Sequence, residues 1–281
     1  MPSLRHHLDF GEFALKDGPH PESARRDAEL LLTHMLKKSR AWLLAHAEEE
    51  LSGEQEANYT ALVSLRRKGE PIQYITGETE FYGLPFRVTP EVLIPRPETE
   101  HLVEKVIELA ARFQQPRIVD VGTGSGAIAV ALAHECFFAV MTAIDISSRA
   151  LAIAEENAER SGASIRFLEG DLLAPVAGEC FEIVVSNPPY VPSGDRASLS
   201  VEVREYEPAL ALFAGDDGLD VYRRLIPAAF VSLTPGGYVA LEIGYGQSKA
   251  ITELLARSGF EQIEFVPDLQ GIPRVACARR P

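Results

Sequence analysis

The chain has 281 residues, 46% of them hydrophobic and 24% charged, which is enough apolar material for one or two buried cores and excludes wholesale disorder. The net charge of −14 is uneven: residues 1–90 hold 11 Lys and Arg against 14 Asp and Glu, and the rest hold 16 against 27. A protein that grips phosphates needs a basic face, so this balance argues against a nucleic-acid partner. The cysteines Cys136, Cys180 and Cys277 lie too far apart for a disulfide framework or a cysteine zinc site. With no leader-like apolar stretch and no membrane-length run, the expectation is a cytoplasmic protein without a membrane partner.

The first ~70 residues read as helical. Over 22–38, Ala24, Ala28, Leu31, Leu32 and Met35 make one apolar stripe. Ser39 caps a short helix through Leu44, and Ser52 with Gln55 forms a capping box for a helix carrying Ala57, Ala61 and Leu65. Arg66, Arg67 and Lys68 read as a solvated helix end favoured by the dipole, with Gly69 as the stop. Between Phe81 and Val88, aromatic and β-branched residues flank a turn, as in a hairpin. These features predict a helical domain over 1–75, a hairpin linker over 76–96 and a second domain over 97–281.

That second domain alternates apolar runs with amphipathic ones. Strands are expected at 117–121, 139–144, 165–168, 182–186, 238–243 and 261–266, and helices at 98–113, 125–134, 148–161, 219–232 and 247–258. Continuous apolar strands between helices imply an α/β core, a mostly parallel sheet covered on both faces. The run Arg274–Ala278 follows the preceding strand too closely for a helical crossover, so this last strand should be antiparallel.

Four strand ends carry chemistry. The first is Asp120-Val121-Gly122-Thr123-Gly124-Ser125-Gly126, a glycine loop between strand and helix. Its G-x-G-x-G spacing departs from the dinucleotide fingerprint, and Asp120 would repel a pyrophosphate but suits an ammonium group. The second is Asp145, nineteen residues past Gly126, where a carboxylate can take a ribose diol. At the third, Asp171 can accept from an adenine amino group with Leu172 against the ring, or serve only as a turn residue. The fourth, Ser186-Asn187-Pro188-Pro189-Tyr190, is a stiff turn with free carbonyls. There the Asn187 oxygen and a backbone carbonyl can each accept one hydrogen of a planar –NH₂ group, and Tyr190 offers a ring for stacking. None of the seven histidines belongs to a catalytic or metal pattern, and no metal is expected.

An Asn-Pro-Pro-Tyr tetrapeptide after such a loop resembles the amino-methylating S-adenosylmethionine-dependent methyltransferases. The flanks Val92–Glu100, Tyr206-Glu207-Pro208-Ala209-Leu210, Gly215–Leu219 and Asp268–Arg274, with Asp27–Leu32 and Gln73–Gly77, resemble the HemK/PrmC family. That resemblance implies a Rossmann-like methyltransferase core behind a helical recognition domain. It also implies transfer of a methyl group to the glutamine N5 of the Gly-Gly-Gln loop in class-one peptide chain release factors, leaving S-adenosylhomocysteine. By the same resemblance, Gly122, Thr123, Gly124, Ser125 and Gly126 hold the methionine portion with Asp120 on its ammonium group. Asp145 holds the ribose, Asp171 and Leu172 the adenine, and Asn187, Pro188, Pro189 and Tyr190 the substrate glutamine, with Asn187 also bordering the cofactor. Asn187, Pro188 and Tyr190 are the expected catalytic residues, and Arg96, Glu98 and Glu100 shape the hinge or cleft.

Other readings are an adenine-N6 or cytosine-N4 nucleic-acid methyltransferase, a nicotinamide-dependent oxidoreductase and a non-catalytic adenosyl-binding adaptor. The acidic charge, the glycine spacing and the intact tetrapeptide argue against them respectively.

Overall fold

The structure, a computed structural model, describes residues 2–281. Two compact units emerge: one runs to Glu78 and takes in Leu199–Tyr206, and the other comprises Thr79–Ser198 and Glu207–Pro281.

The first unit is helical: α1 (Leu4–Lys16), α2 (Ala24–Leu36), α3 (Arg40–Ala45), α4 (Gly53–Arg67) and α5 (Ile72–Thr76). Ser39 and Ser52 cap α3 and α4, the latter with Gln55 in a reciprocal box. Leu4, Leu8, Leu31, Leu32, Leu43, Tyr59 and Val63 form its core. Gly11 lets α1 approach α4 closely, since a Cβ there would lie 2.2 Å from the Tyr59 hydroxyl. That hydroxyl donates to the Ala28 carbonyl at 3.2 Å.

One expectation is corrected here. Arg66 is not solvated; its side chain is 6% exposed and its Nε donates to the equally buried Asp27 at 2.6 Å. Its Nη1 donates to the Glu70 carbonyl and pairs with Glu202, from the Leu199–Tyr206 segment. Long-range pairing has overridden the local preference for a solvated helix end.

From Thr79 the second unit takes up a hairpin, β1 (Glu78–Phe81) and β2 (Leu84–Arg87), followed by α6 (Glu100–Ala110). Alternation then runs through β3 (Arg117–Val121), α7 (Ala127–Glu135), β4 (Val140–Asp145), α8 (Ser148–Ser161), β5 (Ile165–Glu169) and β6 (Phe181–Ser186). After α9 (Val201–Tyr206), which belongs to the helical unit, come α10 (Asp220–Ser232), β7 (Leu233–Glu242), α11 (Ser248–Arg257), β8 (Glu261–Pro267) and β9 (Pro273–Arg279). The seven strands lie in the order β5-β4-β3-β6-β7-β9-β8. The first five pair in parallel, and β9 is antiparallel to both neighbours.

Side chains alternate across this sheet with period two. Ile118, Ala143, Ile183, Val185 and Ala240 pack with α6 and α7 on one face. Val119, Ile144, Val184, Val239 and Leu241 pack with α10 and α11 on the other. Expected and observed strands agree within one residue, except that β7 begins at Leu233, five residues before the expected start. The placement of β9 between β7 and β8 was not deducible from hydrophobic pattern.

Removing the Arg66 guanidinium leaves Asp27 as a buried carboxylate without its cation, a change that costs about 3–5 kcal/mol. Arg66→Ala should lower the unfolding free energy by that amount in urea titration, and a loss under about 1 kcal/mol would contradict the assignment.

Candidate active site

The carboxyl ends of β3, β4 and β6 border a cavity of about 440 Å³, a size typical of small-molecule sites. The glycine loop forms one wall. Gly122, Gly124 and Gly126 all have positive φ, and Gly122 and Thr123 donate their amides to the Ile144 carbonyl at 2.8 and 3.0 Å. A Cβ on Gly126 would sit 3.1 Å from Ala154 Cβ, so the glycine also lets the start of α7 lie against α8. Asn157 on α8 braces the loop, donating to the Ser125 carbonyl at 2.9 Å and to the Arg87 carbonyl at 3.0 Å.

Asp120 lies just beneath this loop and is fully buried. Its Oδ2 accepts from the Thr123 hydroxyl at 2.6 Å, while Oδ1 has no hydrogen-bond partner. Burial pushes its pKa up to about 7, with the Thr123 bond opposing the shift. Asp145, at the end of β4, accepts from the amides of Gly124 (2.8 Å) and Ser147 (2.9 Å) and borders the cavity. Burial raises its pKa against those bonds. Asp171 and Leu172 line the next stretch, with the Asp171 carboxylate paired to Arg224 and Leu172 held at φ 52°. A leucine in the left-handed region is strained, and such strain concentrates at ligand sites.

Asn187, Pro188 and Pro189 close the cavity beyond β6, where Ser186 Oγ donates to the Val121 carbonyl at 2.6 Å. The Asn187 Nδ2 donates to Thr99 Oγ1 at 3.2 Å. Tyr190 stands apart from the cavity lining: its ring packs into the core beside β7 and its hydroxyl donates to Glu242 at 3.3 Å. Burial, then Glu242, raises the Tyr190 pKa.

The structure gives individual tasks to Arg96 and Glu100, expected only to shape the hinge or cleft, and adds Glu242, which the sequence did not single out. Arg96 borders the cavity and donates to the buried Glu207 at 2.5 Å. Glu100 has a structural task, accepting from the Tyr82 amide at 2.9 Å and so fixing the hairpin to α6. Glu242, almost completely buried, accepts from Thr99 at 2.6 Å as well as from Tyr190. A lone acid ending the apolar run Tyr238–Leu241 was the signal available for it.

Comparison with known proteins decides the family. Residues 8–77 match the PrmC N-terminal domain and residues 98–204 the methyltransferase small domain. The release factor glutamine methyltransferase of Koribacter versatilis is 45% identical over 266 residues, covering 94% of this chain and 93% of that protein. The chain belongs to the release factor glutamine methyltransferase family. The Geobacter sulfurreducens member is 43% identical over 258 residues, covering 92% and 90%. A methyltransferase crystal structure from Pyrococcus furiosus shares the fold, with a TM-score of 0.53 at 20% identity over 80% of this chain and 98% of that one. Among the described residues, no helix is long and apolar enough to cross a membrane.

The folded Asp120 holds its proton to about pH 7, whereas the unfolded carboxyl loses it near 3.8. Between those values the folded state binds more protons, so stability falls as pH rises and levels off above about 7. Asp120→Asn should therefore raise the melting temperature of the ligand-free enzyme more at pH 8 than at pH 5. An equal shift at both would contradict the buried, unpaired carboxyl.

Proposed function

We propose that this enzyme transfers the methyl group of S-adenosylmethionine to the side-chain amide nitrogen of the glutamine in the Gly-Gly-Gln loop of class-one release factors, acting in the cytoplasm. The observation that carries the reading is the Asn187–Pro188 turn, which borders the same cavity as the glycine loop and Asp145. The residues fit the cofactor. Asp120 keeps an unpartnered carboxylate oxygen under the loop, suited to an ammonium group, and Asp145 stands where a ribose diol can donate to it. Leu172 offers an apolar surface for the adenine ring, and Asp171 an acceptor for its amino group beside Arg224. Asp145 in the lining and Asp120 beneath the loop favour a cationic group at this end of the cavity and disfavour a polyanion.

The cofactor, when bound, supplies a methyl group already activated by positive sulfur. What remains for the protein is to orient a poor nucleophile. An amide nitrogen is weak because its lone pair is delocalised into the carbonyl. In this reading the Asn187 Oδ1 and the Pro188 carbonyl each accept one N–H of the substrate amide, which turns the lone pair toward the methyl group and enriches the nitrogen in electron density. The same acceptors stabilise the positive charge that develops on nitrogen during transfer. The product proton then leaves to water, so no general base is needed. Tyr190, with its ring packed into the core, supports the turn from behind.

Two substitutions separate binding from chemistry. Asn187→Ala should lower turnover of release factor by about 10²-fold, the scale of a lost oxyanion-hole donor, and leave the S-adenosylmethionine dissociation constant nearly unchanged. Asp145→Ala should instead weaken that binding by about 1.5–3 kcal/mol in calorimetric titration. Wild-type turnover in the first variant, under saturating cofactor, would overturn the acceptor role. Undiminished affinity in the second would remove Asp145 from the cofactor site.

A further inference from the structure

A carboxamide can be placed either way round, and only one orientation offers an acceptor to a substrate –NH₂. The structure contains a chain of hydrogen bonds that decides between them. Glu242, 3% exposed, ends β7 behind the Asn187 turn. Its Oε2 receives the Thr99 hydroxyl at 2.6 Å, its Oε1 receives the Tyr190 hydroxyl at 3.3 Å, and its own backbone carbonyl receives the Tyr222 hydroxyl at 2.6 Å. Thr99, 4% exposed, has a single hydroxyl proton, and that proton is committed to Glu242. Toward Asn187 the same oxygen can therefore only accept, and it takes the Nδ2–H at 3.2 Å. With Nδ2 committed to Thr99, Oδ1 is the end of the amide left for a ligand in the cavity that Asn187 and Thr99 both line.

We propose that Thr99 and Glu242 are positioning residues for methyl transfer, setting the direction of a hydrogen-bond chain that presents Asn187 Oδ1 to the substrate amide. This rests on the acceptor role given to Asn187 above. The chain also sets specificity. Two acceptors facing the substrate welcome an amide –NH₂ and repel a carboxylate, so glutamine is taken and glutamate refused. Replacing Glu242 by glutamine removes the acceptor-only end. The new side chain can donate to Thr99, whose hydroxyl can then donate to Asn187, and the amide is free to turn its Nδ2 toward the substrate.

The experiment measures steady-state methylation of a release factor by wild type, Thr99→Val, Thr99→Ser, Glu242→Gln and Asn187→Ala. Inhibition by a release factor whose Gly-Gly-Gln glutamine is replaced by glutamate is measured alongside. Thr99→Val should lower kcat about tenfold, the equivalent of one hydrogen bond, with cofactor affinity unchanged, and Thr99→Ser should restore most of that loss. Glu242→Gln should lower kcat similarly and tighten inhibition by the glutamate-bearing factor about tenfold, which loss of packing alone would not do. Wild-type kcat in both Thr99→Val and Glu242→Gln, with Asn187→Ala impaired, would overturn the positioning role alone. So would Thr99→Ser as slow as Thr99→Val, or inhibition unaltered in Glu242→Gln. Should Asn187→Ala itself turn over at the wild-type rate, the acceptor reading falls and the positioning role with it.

Discussion

Strand register is the constraint on which the site depends. Asp120 pairs across the sheet with Ala143 on one side and Val185 on the other, and Ser186 pairs with Leu241. Four parallel strands therefore end at nearly one level, and at or just past those ends lie the glycine loop, Asp145, the Asn187 turn and Glu242. Bonds between these ends lock the arrangement: the loop amides to the Ile144 carbonyl, the Gly170 amide to the Asp145 carbonyl at 2.9 Å, and Ser186 to the Val121 carbonyl. A slip of one residue would turn each side chain to the opposite face and dismantle the cavity wall.

Three acids gather at this level, and each is satisfied differently. Asp145 is held by backbone amides, Glu242 by two hydroxyls, and Asp120 by one hydroxyl with its second oxygen unpaired. Burial raises the pKa of all three. Asp145 adds to the shift at Asp120, so a cationic ligand beside those two relieves it and a phosphate chain aggravates it. The overall charge of −14 and the site thus point the same way.

Much of this was legible in the chain because the signals are local. Apolar runs such as Phe181–Ser186 mark buried strands, the Ser52–Gln55 box marks a helix start, and the glycines after Val121 mark a tight strand-to-helix turn. What escaped was long-range. Helix α1, whose buried side has Leu4, Leu8 and Leu15 interrupted by His7 and Gly11, shows a stripe only once Tyr59 is known to fill the gap. Arg66 looks like a solvated dipole partner until Asp27 and Glu202 close around it. The grouping of Leu199–Tyr206 with the helical unit, and of Thr99 with Glu242 across 143 residues, follows from topology that no local pattern encodes.

The measurement that bears most directly on the central claim is the chemical location of the transferred methyl group. Wild-type enzyme, labelled S-adenosylmethionine and an intact release factor would be incubated together, with duplex DNA as a competing acceptor, and the products mapped by fragmentation mass spectrometry. The account predicts one methyl group on the side-chain nitrogen of the Gly-Gly-Gln glutamine and none on DNA. Methylation of adenine in preference to that glutamine, or label elsewhere on the release factor, would contradict it.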